Sequence, residues 1–210
     1  MNPNDVRQGW AERSGEYSPD YYAYYGPDET SESIRGLLDS RVGAEAAVLE
    51  LGCSSGRHLA HLHDHGYDDL HGVEINDDAF EVMAEEYPDL AEAGTFYADA
   101  IEKTVPEFAD DRFDAVFSVE TLQHIHPENE WVFDELARVT DDLLVTAEIE
   151  DDEGDGGQGE SDDPDVNYVD DDVPLYYRNW RRVFTGRGFV EVASESLRRD
   201  ILRAFRPAGE

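Results

Sequence analysis

The sequence predicts an α/β fold built on a mostly parallel sheet with helices on both faces. Three observations carry that expectation. Between Val48 and Ala147, short apolar runs alternate with segments of helical apolar spacing, the pattern of strands buried between helical layers. The first run, Val48-Leu-Glu-Leu51, passes directly into a glycine-bracketed turn, Gly52-Cys-Ser-Ser-Gly56, and then into a helix-like stretch. The 210 residues suffice for one domain with a sizeable core, so a single domain over residues 1–210 is expected, with no internal repeat.

The elements follow in order. Residues 1–45 form a leader carrying Tyr17, Tyr21, Tyr22, Tyr24 and Tyr25, then a helix from Glu29 to Ser40 in which Ile34, Leu37 and Leu38 share one face. The aromatic cluster is read either as a lid that keeps water from a reactive group or as packing of the leader against the domain. After the first strand come a helix at 57–65, a strand at 70–75, a helix at 77–87 and strands at 95–97 and 113–118. A helix at 128–139 and a strand at 142–147 complete the alternation. Residues 150–172 differ in kind: Asp151 to Pro164 is acidic and glycine-rich without a basic residue, which predicts a mobile insertion. A calcium loop is disfavoured there because the ordered ligand spacing and terminal glutamate are missing. Pro174 to Thr185 has helical spacing and stops at Gly186, and 188–193 and 200–205 read as two last strands.

The turn at Gly52 to Gly56 is the chemical signal. Glycine accepts positive φ and lets a ligand approach the backbone, while the following helix presents unpaired N–H groups. Glu74 ends the second strand 22 residues after Gly52, near the spacing of a carboxylate that accepts from ribose hydroxyls. Asp99 ends the third, over the adenine side of such a crevice, where it can accept from the exocyclic amine.

From about Val48 to Ala147 the chain resembles the class I S-adenosylmethionine-dependent methyltransferases. Glu50-Leu-Gly52-Cys-Ser-Ser-Gly56 is similar to their acid-x-Gly-x-Gly-x-Gly turn, Gly72-Val-Glu74-Ile-Asn76 to their second-strand acid, and Ala98-Asp99-Ala100 to their adenine motif. Phe113 to Ser118, followed by Val119 to Pro127, is similar to their fourth strand and the loop beneath the reactive methyl. Ser54 departs from the pattern, standing where the family has its central glycine, so a slightly altered loop with a retained site is expected. The resemblance implies a Rossmann-like, seven-stranded sheet ending in an antiparallel C-terminal hairpin, with S-adenosylmethionine as cofactor. It implies Glu50, Gly52, Cys53, Ser54 and Gly56 around the methionine half, with Glu50 bracing the loop. Glu74 then serves the ribose and Asp99 the adenine, with Ile75, Ala100 and Val119 among the cofactor-binding residues.

Two other readings of the turn stand beside it. A dinucleotide fingerprint needs a glycine three residues after its second, whereas Arg57 and His58 follow Gly56 here; a purely structural βα turn needs no ligand at all. For an acceptor that must lose a proton, His124, Glu120 and His126 on the post-strand-four loop are the candidate bases. The functional expectation is methyl transfer to a small-molecule acceptor, with a non-catalytic cofactor-binding scaffold subunit as the alternative. His58, His61 and His65 fall on one helix side with His63 nearby, but no carboxylates complete a metal set, and none is expected.

Formal charge is −35, and arginines outnumber the single lysine, Lys103, by fifteen to one. This is the surface expected of a halophilic protein: in molar salt the Debye length falls to about 3 Å and self-repulsion is screened. Such a surface repels nucleic acid, but molar salt screens the repulsion, so charge disfavours nucleic-acid partners only moderately. Eight arginines lie between Arg178 and Arg206, read as partners for neighbouring acids in preference to an anion grip. No membrane-length apolar run and no signal-peptide core is seen, so a cytoplasmic location is expected. The lone Cys53 excludes an internal disulfide, and is read as a packed loop residue in preference to a reactive thiol.

Overall fold

The computed structural model describes residues 2–150, 164–169 and 173–209. The leader folds into two short helices, α1 (Pro3–Ala11) and α2 (Pro19–Tyr25), before α3 (Glu29–Arg41). Each starts on a cap: Asn2 and Asp5 form a capping box with Pro3 at the first position, Ser18 caps α2, and Asp28 with Ser31 caps α3. These signals surround stretches with little helical apolar spacing, so periodicity alone passes over α1 and α2.

The alternating part then runs β1 (Val48–Leu51), α4 (Arg57–Asp64), β2 (Leu70–Glu74), α5 (Asp78–Glu86), α6 (Pro88–Ala93), β3 (Thr95–Ala98), α7 (Ile101–Thr104) and β4 (Phe113–Val119). After β4 come α8 (Val132–Val139) and β5 (Thr140–Glu148). The chain continues through β6 (Asp165–Val169), β7 (Val173–Tyr177), α9 (Trp180–Thr185), β8 (Phe189–Ser196) and β9 (Ile201–Pro207). The main sheet has seven strands in the order β3-β2-β1-β4-β5-β9-β8. Strands β1 to β5 pair in parallel, and β9 pairs antiparallel with both β5 and β8. The predicted Rossmann-like sheet with its C-terminal antiparallel hairpin is therefore present.

Strand parity divides the core. Val48, Phe117 and Val145 face α3 and α4 with Ile34, Leu38, Leu59 and Leu62. Their neighbours Leu49, Val116 and Leu144 face α8 and α9 with Phe133, Leu136, Trp180 and Phe184. A strand apolar at every position is what two-sided covering demands.

The segment 174–185 corrects the expectation of one helix. Residues 173–177 pair with β6 as a separate two-stranded sheet, and only Trp180–Thr185 is helical. Pro174 biases the residue before it toward extended backbone, and Leu175, Tyr176 and Tyr177 favour a strand, so a helical count over so short an apolar run misled. Most of the predicted 150–172 insertion lies outside the described residues; residues 165–169 within it form β6. The helix at 128–139 is shorter than expected, a separate turn at Pro127–Asn129 preceding α8. Arg178 bonds Glu130 at 2.9 Å, Arg187 stands as an ion pair 2.8 Å from Asp134, and Arg203 bridges Glu150 and Glu191 at 2.5 and 2.7 Å. Arg206 pairs with Asp142. Among the described residues, no helix is long and apolar enough to cross a membrane.

Candidate functional site

The carboxyl ends of β1, β2 and β4 open into a cleft roofed by α1 and α2. Ligands of open α/β sheets bind at this edge. Glu50, Gly52, Cys53, Ser54, Glu74 and Ile75 line it, as do Asp99, Ala100, Val119, Glu120, His124 and His126. Of the predicted site residues only Gly56 does not line it.

The loop after β1 takes left-handed backbone three times, at Gly52 (φ +67°), Ser54 (φ +47°) and Gly56 (φ +83°). Ser54 thus keeps the glycine geometry, and carries the strain of a Cβ in that region. Its N–H donates to Glu74 Oε2 at 2.9 Å, while Glu74 Oε1 accepts from the Asn76 N–H at 2.8 Å. Glu74 therefore joins the cofactor loop to its own strand end and keeps further lone pairs for a ligand. A Cβ on Gly52 would stand 2.3 Å from Thr121 Oγ1, so this glycine is where the loop touches the segment after β4. Gly56 works behind the loop: a Cβ there would meet Met83 Cε at 2.8 Å and Leu90 Cδ2 at 2.9 Å.

Glu50 is 1% exposed, and its Oε2 has no hydrogen-bond partner. Instead of bracing the loop through its own bonds, it presents an unpaired carboxylate to the cleft. Burial drives its pKa well above the usual range, Glu74 adds to that, and Arg57 opposes it. A buried carboxylate without a partner is costly, and a ligand cation removes the cost; the ammonium of a methionine half has that charge. Asp99 accepts from the Ala100 N–H at 2.8 Å and from Lys103 Nζ at 2.9 Å, and Lys103 holds its pKa down. The donor set fits S-adenosylmethionine: a carboxylate for the ammonium, a second acid for the ribose, a third at the adenine edge.

Cys53 is buried against Gly72, and burial pushes its thiol up, the opposite of a reactive thiolate. His58 is also buried; its Nδ1 lies 2.7 Å from Ser31 Oγ, and burial lowers its pKa to about 3, so it links α3 to α4 as a neutral ring. His61 meets Glu32 and His65 meets the His61 carbonyl, so each ring in that row has a separate structural partner.

His124 Nδ1 lies 3.1 Å from the carbonyl oxygen of Pro174 in β7. A carbonyl only accepts, so Nδ1 carries the proton and Nε2 keeps its lone pair. Burial, aided by Arg13, lowers the pKa to about 4. The ring packs against Trp10 with centroids 4.4 Å apart. His126 differs: its Nδ1 accepts from the Glu128 N–H at 3.2 Å and its ring stands edge-on to Tyr176. Glu120 has left-handed backbone (φ +48°).

Sequence reasoning missed the residue that holds this loop. Glu148, fully buried at the end of β5, accepts from Ser118 Oγ (2.7 Å) and from the N–H groups of Thr121 (3.2 Å), Leu122 (3.0 Å) and Gln123 (3.2 Å). Burial pushes its pKa up to about 7, against those donors. Like Glu74, it is an acid closing an apolar strand run, but nothing near it in sequence marks its distant partners. Trp10, Tyr17 and Tyr22 enter the wall from the leader, whereas Tyr24 and Tyr25 face solvent. The leader is fastened by Asn76 Nδ2 donating to the Arg13 carbonyl (3.0 Å) and by Arg57, which bonds Asp28 (3.1 Å) and lies over the Tyr22 ring.

A family model described as a methyltransferase domain matches residues 48–142, the stretch that builds the cofactor loop and both acids beyond it. No curated protein matches the sequence. Among solved structures, the chain is similar to a Burkholderia thailandensis 1,6-didemethyltoxoflavin N1-methyltransferase with bound didemethyltoxoflavin and S-adenosylhomocysteine. That likeness has a TM-score of 0.74 at 14% identity and covers 100% of this chain and 92% of that one. It is similar to the Synechocystis magnesium protoporphyrin IX methyltransferase with bound S-adenosylmethionine (TM-score 0.63, 15% identity, 97% and 90% covered). A [4+2]-cyclase also shares the fold (TM-score 0.60, 15% identity, 89% and 65% covered). The fold is that of S-adenosylmethionine-dependent methyltransferases, and the domain match together with neighbours holding the cofactor or its product supports S-adenosylmethionine as the ligand.

Proposed function

We propose that the protein is an S-adenosylmethionine-dependent methyltransferase acting on a small molecule, and that it works in molar salt. The observation that carries the activity is the unpaired, fully buried Glu50 carboxylate beside a loop with three left-handed residues. The cofactor supplies an electrophilic methyl on a sulfonium centre. Glu50 takes its ammonium, Glu74 its ribose hydroxyls and Asp99 its adenine amine, while Ile75, Ala100 and Val119 line the apolar parts of the cleft. Trp10, Tyr17 and Tyr22 keep the reacting end dry and limit the poses an acceptor can take. His124 Nε2, neutral throughout the physiological range, accepts a proton from the acceptor. The whole chain serves as one domain, with residues 1–45 acting as the aromatic cover. Glu120 faces the acceptor, and His126, occupied by its turn, serves as wall.

Calorimetry with S-adenosylmethionine tests the cofactor site: the wild type binds, and Glu50→Gln binds about tenfold more weakly, the loss of one charge-assisted contact. Equal affinity of the two proteins sinks the Glu50 assignment. Release of S-adenosylhomocysteine on adding high-salt cell extract identifies an enzyme; binding without any release assigns the scaffold role instead. The charge of −35 supports the salt reading, and equal thermal stability with and without molar potassium chloride refutes it.

A further inference from the structure

Beside the cofactor cleft lies a second, smaller chamber, and the two share Trp10, Tyr17, Tyr22, Glu120 and His124 as walls. One space is therefore partitioned by a few side chains, with the smaller part reaching Asp200, Arg199, Leu175 and Ile149. Its composition is unlike that of the cofactor side. Three aromatic rings and two aliphatic side chains make the body, and the polar end is acidic. Glu120 and Asp200, eighty positions apart in sequence, line the same chamber, and their carboxyl groups interact there. Glu120 does so from a left-handed backbone (φ +48°) that a residue with a Cβ adopts at a cost.

Two carboxylates in contact repel unless a proton or a cation stands between them. A proton can do so here: burial together with Glu120 lifts Asp200 to about 7, against the opposing pull of Arg199. Arg199 is the cation nearest that end, but it sits exposed on the bend before β9, where water screens it. The aromatic wall is suited to positive charge, for the Arg13 guanidinium already lies 5.8 Å from the Trp10 ring centroid and 5.5 Å from that of Tyr17. A further sign of a missing ligand is the Trp10 indole N–H, which is buried in the shared wall without an acceptor.

We propose that the methyl acceptor is an amine, seated with its nitrogen between Glu120 and Asp200 and its apolar body against Trp10, Tyr17 and Tyr22. This rests on the methyltransferase reading and names its substrate class. The amine arrives as an ammonium, the proton shared by the two carboxyl groups leaves to solvent as the cation seats between them, and the ammonium then gives one of its own protons to the pair. The freed nitrogen lone pair then forms the bond to the methyl carbon while the carbon–sulfur bond breaks, its electrons staying on sulfur as the neutral thioether. The nitrogen thereby acquires the positive charge that the sulfonium loses, and the product leaves as a methylated ammonium. His124, with Nε2 bare, is the second acceptor on the same wall for a proton that must leave the nitrogen.

The test uses the full chain saturated with S-adenosylhomocysteine in high salt and three probes that share one ring and differ in head group: phenethylamine, 2-phenylethanol and 3-phenylpropionate. Calorimetry is expected to show the amine binding about tenfold or more tighter than either companion, and Asp200→Asn and Glu120→Gln each erasing that preference. Asp200 does not line the cofactor cleft, so Asp200→Asn keeps its affinity for S-adenosylhomocysteine. Equal binding of the three probes, preference for the carboxylate, no amine binding at millimolar concentration, or an amine preference untouched by both variants overturns the proposal. Failure of the methyltransferase reading looks different, because then S-adenosylhomocysteine itself does not bind.

Discussion

The two halves of the site are built by different means. The cofactor half is made by consecutive βα turns between Glu50 and Ala100, mostly from backbone: N–H groups, left-handed residues and an acid at the end of each of two strands. The half proposed for the acceptor is made from side chains that arrive separately, from the leader (Trp10, Tyr17, Tyr22), from the segment after β4 (Glu120, His124) and from the bend before β9 (Asp200). A half built locally is specified by short-range chemistry and survives great sequence divergence. A half assembled over long range can change its chemistry one residue at a time while the fold stays fixed.

Substitutions test that division, and the largest effect falls where the halves meet. Gly52→Val places a side chain at φ +67° and within 2.3 Å of Thr121 Oγ1; we expect a loss of about 3–4 kcal/mol in stability and no measurable cofactor binding. A folded variant that still binds the cofactor would show that the contact is soft. His124→Ala comes next, with turnover of the extract-dependent reaction reduced about a hundredfold and cofactor affinity retained. A parallel loss of affinity would mean that the halves are not separable.

Glu148→Gln has a smaller effect that depends on pH. The Glu148 carboxyl is raised to about 7 in the fold, from an ordinary value of 4.5, so the folded state holds its proton more tightly than the unfolded chain does. Its stabilising contribution is complete below about pH 4.5 and is lost as pH rises to about 7, a change of roughly 3 kcal/mol. Gln does not titrate, so the stability of wild type relative to the variant should fall across that window in denaturant titrations, and a constant difference contradicts burial as the cause. Smallest is Ser54→Gly, which removes left-handed strain worth about 1–2 kcal/mol and adds about 0.5–1 kcal/mol of chain entropy. We expect a net gain below about 1 kcal/mol in thermal stability; destabilisation would mean that the Ser54 side chain makes a contribution of its own.

Legibility in the sequence followed the same division. The strands of the parallel sheet, the left-handed turn, Glu74 and Asp99 were readable because each depends on neighbours a few residues away or on a fixed offset. The two short leader helices, α1 and α2, were not, since Asn2 and Ser18 start them while tertiary contacts with the cleft hold them. Residues 173–177 were misread because a strand and a helix turn leave the same trace in five residues. Glu148 went unseen because its partners, Ser118 and residues 121–123, are nearly thirty positions upstream, and no local pattern records that distance. The Asp200 contact is longer still.

The close approach of Gly52 to Thr121 also bears on how the proposed activity could be retargeted. Exchanging the segment 120–126 for that of another protein alters the proposed acceptor wall, but position 121 presses on Gly52, which has no side chain to yield. A graft that preserves threonine there, or puts something smaller in its place, leaves the cofactor cradle undisturbed. One that brings a bulkier residue transmits the exchange straight into cofactor affinity, so libraries aimed at new acceptors should randomise around Thr121 and hold it constant.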